Sequence, residues 1–295
     1  MMYRQNRFTF SIAGLSIEFL MEQQVTLIDS FKPFCFNRTS EQPDYIVEFC
    51  EVPVLEEFPD KWEYEGISYV VASDGFGGYR RMFRDAKRGN KPYAIAQYNW
   101  KKKHICIKYL PGSEEFVTEM GSCFFHIAWE ALLMHEHRIM LHSACVETRF
   151  GGILFSGPSG IGKSTQADLW CRYGNGRLLN GDRTVIHSED GKWMAYGSPY
   201  AGSSRCYVNE SCPICAIVIL KQDAHCKLRR MEIAEAFHKI FAGLTVNSWD
   251  REFVTFACDF VEALVQQILV YELACTPEEC AVRILENELQ ERVKR

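Results

Sequence analysis

The chain has 295 residues, which is long enough for two domains, and its 47% hydrophobic and 24% charged residues are typical of a globular protein. A formal net charge of −5 and an isoelectric point near 6.0 argue against a nucleic-acid-binding protein. No stretch approaches the roughly 20 apolar residues of a membrane span, and residues 1–7 contain no apolar signal segment, so we expect no membrane partner and a cytoplasmic location.

The N-terminal region consists mainly of predicted strands. Apolar residues alternate with polar or small ones in four segments, at residues 8–12, 15–19, 45–49 and 105–109. Such alternation, broken by turn residues such as Gly77-Gly78, predicts an antiparallel sheet with one solvated face. The period then becomes helical over residues 114–137, with Ser113 as the predicted N-cap. We therefore divide the chain into a β-rich domain at 1–138 and a second domain at 139–295.

The second domain has a mixed α/β pattern. Predicted strands occupy residues 141–147, 151–156, 184–187, 193–196 and 216–220. The third and fourth of these flank Ser-Glu-Asp-Gly, a hairpin signal, and the fifth is the continuous apolar run of a buried strand. The C-terminal third is predicted to be mostly helical. Its last helix is predicted to start at a capping box that begins at Thr276 and has Pro277 at the first helical position.

The thirteen cysteines are predicted to be reduced, buried thiols. Their number is odd and many have apolar neighbours, which is typical of a cytosolic protein rather than of a disulfide framework. Cys212 and Cys215 have Cys-x-x-Cys spacing, but no second pair with zinc-site spacing follows. Packing is therefore a better interpretation of this pair than a metal or redox site.

Residues 157–164 read Gly-Pro-Ser-Gly-Ile-Gly-Lys-Ser and match the phosphate-binding loop G-x-x-x-x-G-K-[ST]. An apolar run at 153–155 precedes the loop as a buried strand would, and a predicted helix at 164–173 follows it. Gly174 is predicted to end this helix in the left-handed conformation. Strand, glycine loop and helix bring backbone N–H groups together around an anion, so the sequence predicts a nucleoside triphosphate site.

Each loop residue has an expected role. Lys163 would reach the terminal phosphates, and the Ser164 hydroxyl would bind Mg²⁺. Backbone amides would surround the phosphate oxygens, those of Gly160, Ile161, Gly162 and Lys163 above all. The predicted ATP-binding residues are Gly157, Ser159, Gly160, Ile161, Gly162, Lys163, Ser164 and Thr165.

Three residues outside the loop are candidates for the remaining chemistry. Asp182 follows a short apolar strand and would bind Mg²⁺, directly or through water, although a turn aspartate has the same local pattern. His142 lies on the strand before the loop strand, where packing histidines are also common. Arg205 ends a segment of small residues, 199–205, that could close over phosphates and neutralise transition-state charge. The alternative interpretation of Arg205 is a solvated arginine in a surface loop.

Residues 141–147, the strand at 152–155 and the loop together resemble the catalytic domain of HPr kinase/phosphorylase and its relatives. ATP-dependent phosphoenolpyruvate carboxykinase shares the same core. In the family, a histidine-bearing strand precedes the loop and a short strand ending in two aspartates follows it. Residues 177–186 resemble that second segment, with Asp182 at the second aspartate, and residues 197–202 resemble the family's Pro-aromatic-small-Gly segment. The resemblance covers about residues 139–222.

The resemblance implies an α/β protein in which a β-rich N-terminal domain, helping to select the acceptor, precedes an HPr-kinase-like nucleotide-binding domain. It implies an ATP- and Mg²⁺-dependent kinase for a hydroxyl acceptor: a serine of a protein or peptide, or a small hydroxyl compound. The departure from the family is Gly181, where the first aspartate, the family's general base, is expected. If the match holds, Asp182 combines two roles or His142 accepts the proton of the hydroxyl.

Two alternatives remain open at this stage. A nucleotide-binding sensor or scaffold would have lost phosphotransfer because of Gly181. Other P-loop enzymes fit less well: the Leu-Ser-Gly-Gly-Gln signature of transporter ATPases is absent, nucleotide kinases have the loop near the N-terminus, and the carboxykinase metal set cannot be assembled. The sequence is compatible with a homo-oligomer and does not identify the acceptor.

Overall fold

A computed structural model describes residues 6–36, 42–75 and 78–294 and divides the chain into two compact units, Met1–Leu132 and Leu133–Arg295. Each unit contains one large β-sheet, and six α-helices lie in the described ranges, so the predicted α/β fold class is confirmed. The predicted turn residue Gly77 and the opening residues 1–5 lie outside the described residues.

The first unit is built on a nine-stranded sheet in the order β3-β1-β2-β4-β9-β8-β7-β6-β5. Its strands are β1 (Asn6–Ile12), β2 (Leu15–Met21), β3 (Cys35–Phe36), β4 (Tyr45–Glu51), β5 (Tyr64–Glu65), β6 (Tyr69–Ser73), β7 (Tyr79–Asp85), β8 (Lys91–Asn99) and β9 (His104–Tyr109). The four strand segments with period-two alternation all fall in strands. The expectation of a wholly antiparallel sheet is wrong, because β4 runs parallel to both of its neighbours, β2 and β9.

The predicted single helix at 114–137 is also wrong. A 3-10 turn at Glu114–Phe116 is followed by two short helices, α1 (Met120–His126) and α2 (Trp129–His135), and Ser113 makes no side-chain cap. The break lies at Ala128, which has a left-handed φ of 54°. Because the chain turns there, the rings of Phe124 and Trp129 are both buried and pack edge to face at 5.4 Å.

His126 is fully buried and neutral in the first unit. Its Nδ1 donates to the Ser122 carbonyl at 2.6 Å, so Nε2 accepts from the Tyr93 hydroxyl at 3.0 Å. Burial lowers the pKa of His126 from 6.5 to about 4. The unfolded chain therefore binds this proton more readily than the folded chain. As the pH falls from 6.5 to 4, the free energy of unfolding should decrease by about 3 kcal/mol.

Denaturant unfolding at several pH values, followed by a probe of the first unit, measures this loss. The variant His126→Gln retains hydrogen-bonding groups but has no proton to gain, so its unfolding free energy should change less over the same pH window. Equal slopes for the two proteins would contradict the assignment of a neutral buried histidine.

The second unit contains an eight-stranded sheet in the order β11-β10-β13-β14-β15-β17-β16, with β12 paired to β10. Its strands are β10 (Arg138–Thr148), β11 (Gly151–Ser156), β12 (Arg177–Asn180), β13 (Arg183–Glu189), β14 (Lys192–Tyr196), β15 (Ser211–Gln222), β16 (Lys227–Arg230) and β17 (Leu269–Cys275). Its further helices are α3 (Lys163–Tyr173), α4 (Ile233–Phe241), α5 (Arg251–Gln267) and α6 (Glu279–Val293). Because β11 also pairs with β15, a closed ring of five strands forms, in the order β11, β10, β13, β14 and β15.

Helices cover both faces of this sheet. One core contains α4 and α5 residues such as Ile240 and Val261, and the other contains α3 and α6 residues such as Trp170 and Leu285. The apolar run at 216–220 lies in β15, between the parallel strands β11 and β17, as predicted for a buried central strand. This arrangement brings the end of β11 and the end of β15 to the same edge of the sheet.

Several local predictions for the second unit can be compared with the structure. The hairpin of β13 and β14 is confirmed. Helix α3 ends at Tyr173 as predicted, but Gly174 has a φ of −107°, and the left-handed residue is Asn175. The capping box at Thr276 is wrong, since α6 begins at Glu279 and its N-cap Glu278 makes no side-chain cap.

The prediction that all cysteines are free thiols is wrong for one pair. Cys226 and Cys280 form a disulfide, while the other eleven cysteines are free. Cys212 is buried on β15 beside Cys145. Over the described ranges, no helix has the length and apolar composition needed to cross a membrane.

Candidate active site

The predicted phosphate loop connects β11 to α3, so the strand–loop–helix arrangement is confirmed. Gly160 and Gly162 have φ angles of 77° and 111°, a region that side chains with a Cβ rarely adopt. The Ile161 N–H donates to the Pro158 carbonyl at 3.3 Å. Among the residues that the structure describes, the N–H groups of Gly160, Gly162 and Lys163 have no acceptor, and they lie at the positive end of α3. The loop therefore offers three donors to an anion.

The side chain of Lys163 points back into the phosphate loop. This side chain is buried, and Nζ donates to the carbonyls of Gly157 and Pro158, both at 3.1 Å. Burial lowers the pKa of Lys163, and the nearby carboxylate of Asp182 opposes this shift. An ammonium bound only by neutral carbonyls is well suited to exchange them for phosphate oxygens.

His142 and Asp182 form a hydrogen-bonded pair, with 3.0 Å between His142 Nε2 and Asp182 Oδ1. Both side chains are about 30% exposed, so solvent and a ligand can reach them. Burial lowers the pKa of His142, and the charge of Lys163 adds to this effect, while Asp182 opposes it. Because the carboxylate oxygen accepts, Nε2 carries the proton of the neutral ring and Nδ1 is left with a lone pair.

Asn180 holds Asp182 in place. Its side chain is fully buried, and its Oδ1 accepts from the backbone N–H groups of Asp182 and Arg183 at 2.9 and 2.8 Å. The Nδ2 of Asn180 donates to the carbonyls of Ser198 and Tyr200. Sequence analysis missed this residue, although an Asn before Gly-Asp at the end of a strand is a recognisable turn signal.

Gly181 is required by its surroundings. A Cβ at this position would lie 2.0 Å from Ser204 Oγ and 2.8 Å from the Ala201 carbonyl oxygen. The Ser204 hydroxyl is itself bound to that carbonyl at 2.6 Å. The segment 201–204 therefore occupies the space that an aspartate side chain at position 181 would need.

The structure brings a different arginine to the site from the one predicted. Arg205 is exposed and, within the described ranges, makes no hydrogen bond or ion pair. Arg183 pairs with His142 in the β10–β13 register, places Nε 3.9 Å from Asp182 Oδ2, and donates to the Thr245 hydroxyl at 2.5 Å. Arg183 can be identified only from the register of β13 against β10, which the sequence does not establish.

The oxygens of Ser164 and Asp182 fit a hard divalent cation such as Mg²⁺. In the described part of the chain, no cluster of three or more His, Cys, Asp or Glu side chains could hold a metal by itself. Two protein oxygens leave most coordination positions of such an ion to water or other ligands. Such sites are typical of Mg²⁺ in phosphoryl-transfer enzymes.

No protein-family model and no curated protein matches the chain. Among solved structures, it is similar to the HPr(Ser) kinase/phosphatase from Coxiella burnetii, with 11% sequence identity, 52% of this chain and 94% of that chain covered, and a TM-score of 0.32. The likeness is distant. At this TM-score the likeness carries no argument about function.

Proposed function

We propose that the protein is an ATP- and Mg²⁺-dependent phosphotransferase that transfers the γ-phosphate of ATP to a hydroxyl group. The observation that carries the proposal is the His142–Asp182 pair, located beside a glycine loop whose lysine lies within electrostatic reach of Asp182. The motif resemblance to HPr kinase/phosphorylase supports the same reaction class.

Lys163 and the free loop amides would bind the β- and γ-phosphates. Ser164 and Asp182 would hold Mg²⁺, which would supply positive charge against the phosphates. A cavity of about 210 Å³ on the α3 side of the loop is lined by Thr165, Gln166 and Pro277, and we assign it to the nucleoside. Arg183 supplies a further positive charge beside Asp182.

His142 is the proposed acceptor of the hydroxyl proton. Asp182 fixes the ring tautomer and leaves Nδ1 as the basic atom, so the pair compensates for the missing carboxylate at Gly181. The hydroxyl oxygen forms a bond to the γ-phosphorus while the bond from that phosphorus to the bridging oxygen of ADP breaks. The hydroxyl proton passes to His142, and ADP leaves with the electron pair of the broken bond.

The test is incubation with γ-labelled ATP, Mg²⁺ and an extract of the cells in which the protein occurs. Label should appear on an acceptor. The variant His142→Gln should lower the transfer rate by about 10²-fold with unchanged ATP affinity, because a general base contributes at least this factor. His187→Gln, which removes a histidine from the neighbouring strand β13 without touching the site, is the matched control.

Binding of ATP without transfer to any component of the extract would instead establish a nucleotide-binding sensor or scaffold. Transfer of the label separates the two outcomes, since calorimetry would show ATP bound in both cases. Transfer that is equally fast in His142→Gln would remove the histidine from the mechanism and leave Asp182 as the proton acceptor.

A further inference from the structure

A second, larger cavity of about 650 Å³ adjoins the phosphate loop and shares Ile161, Leu220 and Lys221 with the proposed nucleoside cavity. Its walls come from the end of β11, the end of β15, β17 and the end of α4. It shares Gly157 and Pro158 with the loop and His142 with the His142–Asp182 pair. In open sheets, ligands bind where the carboxyl ends of neighbouring parallel strands meet, and β11 and β15 are such a pair, with Ser156 opposite Ile219.

The walls of this cavity combine an apolar surface with positive charge. Ile161, Ile219 and Leu220 provide the apolar part, and the side chains of Lys221 and Lys239 provide two ammonium groups. One carboxylate, that of Glu272, also lines the cavity; Arg229 binds it at 3.0 Å and is shared with Glu235, so the two lysines outnumber the acidic residue of the lining. The cavity therefore carries a net positive charge and is suited to an anionic ligand.

The volume limits the kind of ligand. Cavities of roughly 300–1,000 Å³ hold small molecules whole, whereas a protein acceptor could place only a serine-bearing segment in one. Because His142 lines the cavity, a hydroxyl group of a ligand seated there can approach the proposed proton acceptor. The same ligand can place its anionic group toward the two lysines.

We propose that the phosphate acceptor is a small hydroxyl compound carrying a carboxylate or phosphate group, bound in this cavity by Lys221 and Lys239. The proposal rests on the proposed phosphotransferase function and narrows its acceptor from three classes to one. Lys221 ends a buried strand and Lys239 lies on α4, so the two cations come from separate elements of the fold. An acceptor lacking the anionic group would gain nothing from either lysine.

The experiment divides the cell extract into a protein fraction and a small-molecule filtrate, and passes the filtrate over an anion exchanger. The protein, γ-labelled ATP and Mg²⁺ are added to each fraction. Label should appear on a compound from the retained part of the filtrate. The double variant Lys221→Gln/Lys239→Gln should raise the KM for that fraction at least tenfold. Because Lys221 also lines the proposed nucleoside cavity, ATP affinity is compared in the single variant Lys239→Gln, where it should stay unchanged.

The matched control is Lys192→Gln/Lys227→Gln, which removes two exposed lysines that do not line the cavity. Label on the protein fraction, or on the unretained part of the filtrate, would overturn the anionic small-molecule acceptor and leave the phosphotransferase function intact. Equal KM values for the two double variants would overturn the role of the lysines. Absence of label in every fraction, with ATP bound, would overturn the phosphotransferase function itself.

Discussion

Replacing Lys163 by methionine is expected to weaken ATP binding by about 100-fold. The lysine is the only residue of the loop with a charged side chain, and it is buried against neutral carbonyls that phosphate oxygens would replace. Losing one or two charge-assisted hydrogen bonds costs about 3 kcal/mol, which corresponds to this change in Kd. Isothermal titration of ATP with Mg²⁺ measures it directly.

Methionine is chosen because it distinguishes a binding defect from an unfolding defect. Its side chain has a length similar to that of lysine but carries no charge whose burial costs free energy. We therefore expect the melting temperature without nucleotide to be unchanged or higher. Lys192→Met, on the exposed end of β14, should leave both properties as they are. Unchanged ATP affinity in Lys163→Met would contradict the assignment of the loop.

Introducing an aspartate at position 181 is expected to destabilise the second unit rather than to supply a general base. In Gly181→Asp, the new Cβ would lie 2.0 Å from Ser204 Oγ and 2.4 Å from Ser204 Cβ. Overpacking of this kind costs about 3 kcal/mol, because the backbone of residues 201–204 must move. That movement would also disturb Asp182, since a Cβ at the neighbouring Gly202 would lie only 3.0 Å from Asp182 Cβ.

Denaturant unfolding and transfer assays of Gly181→Asp test this expectation together. The double variant Gly181→Asp/Ser204→Gly removes the two closest atoms but leaves the Ala201 carbonyl, so it should regain part of the lost stability. Ser203→Asp adds the same charge at an exposed position of the same segment and serves as the control. A stable Gly181→Asp protein with faster transfer would show that the site has room for the second carboxylate.

The parts of the site that are contiguous in the chain were predictable from sequence. The phosphate loop, its strand and its helix lie within about twenty residues, and local propensity and motif spacing predict their order and bounds. His142 and Asp182 were identified as candidates from the sequence, but their contact, with 3.0 Å between His142 Nε2 and Asp182 Oδ1, was not predicted.

Features that depend on long-range pairing were not predictable. Period-two alternation shows which face of a strand is buried but not which strand lies beside it, so the parallel neighbours of β4 were missed. The choice between Arg183 and Arg205 depends on the register of β13 against β10. The crowding around Gly181 depends on the return of residues 201–204, which no local pattern describes.

The disulfide between Cys226 and Cys280 has a consequence for the larger cavity. The two cysteines are 54 residues apart, and the segment between them contains β16, α4, α5 and β17, hence both Lys239 and Glu272. Closing a loop of this length lowers the entropy of the unfolded chain and stabilises the fold by about 4 kcal/mol. The wall that carries Lys239 thus lies within a covalently closed loop of the chain, and its resistance to local unfolding depends on the oxidation state of a single pair of sulfur atoms.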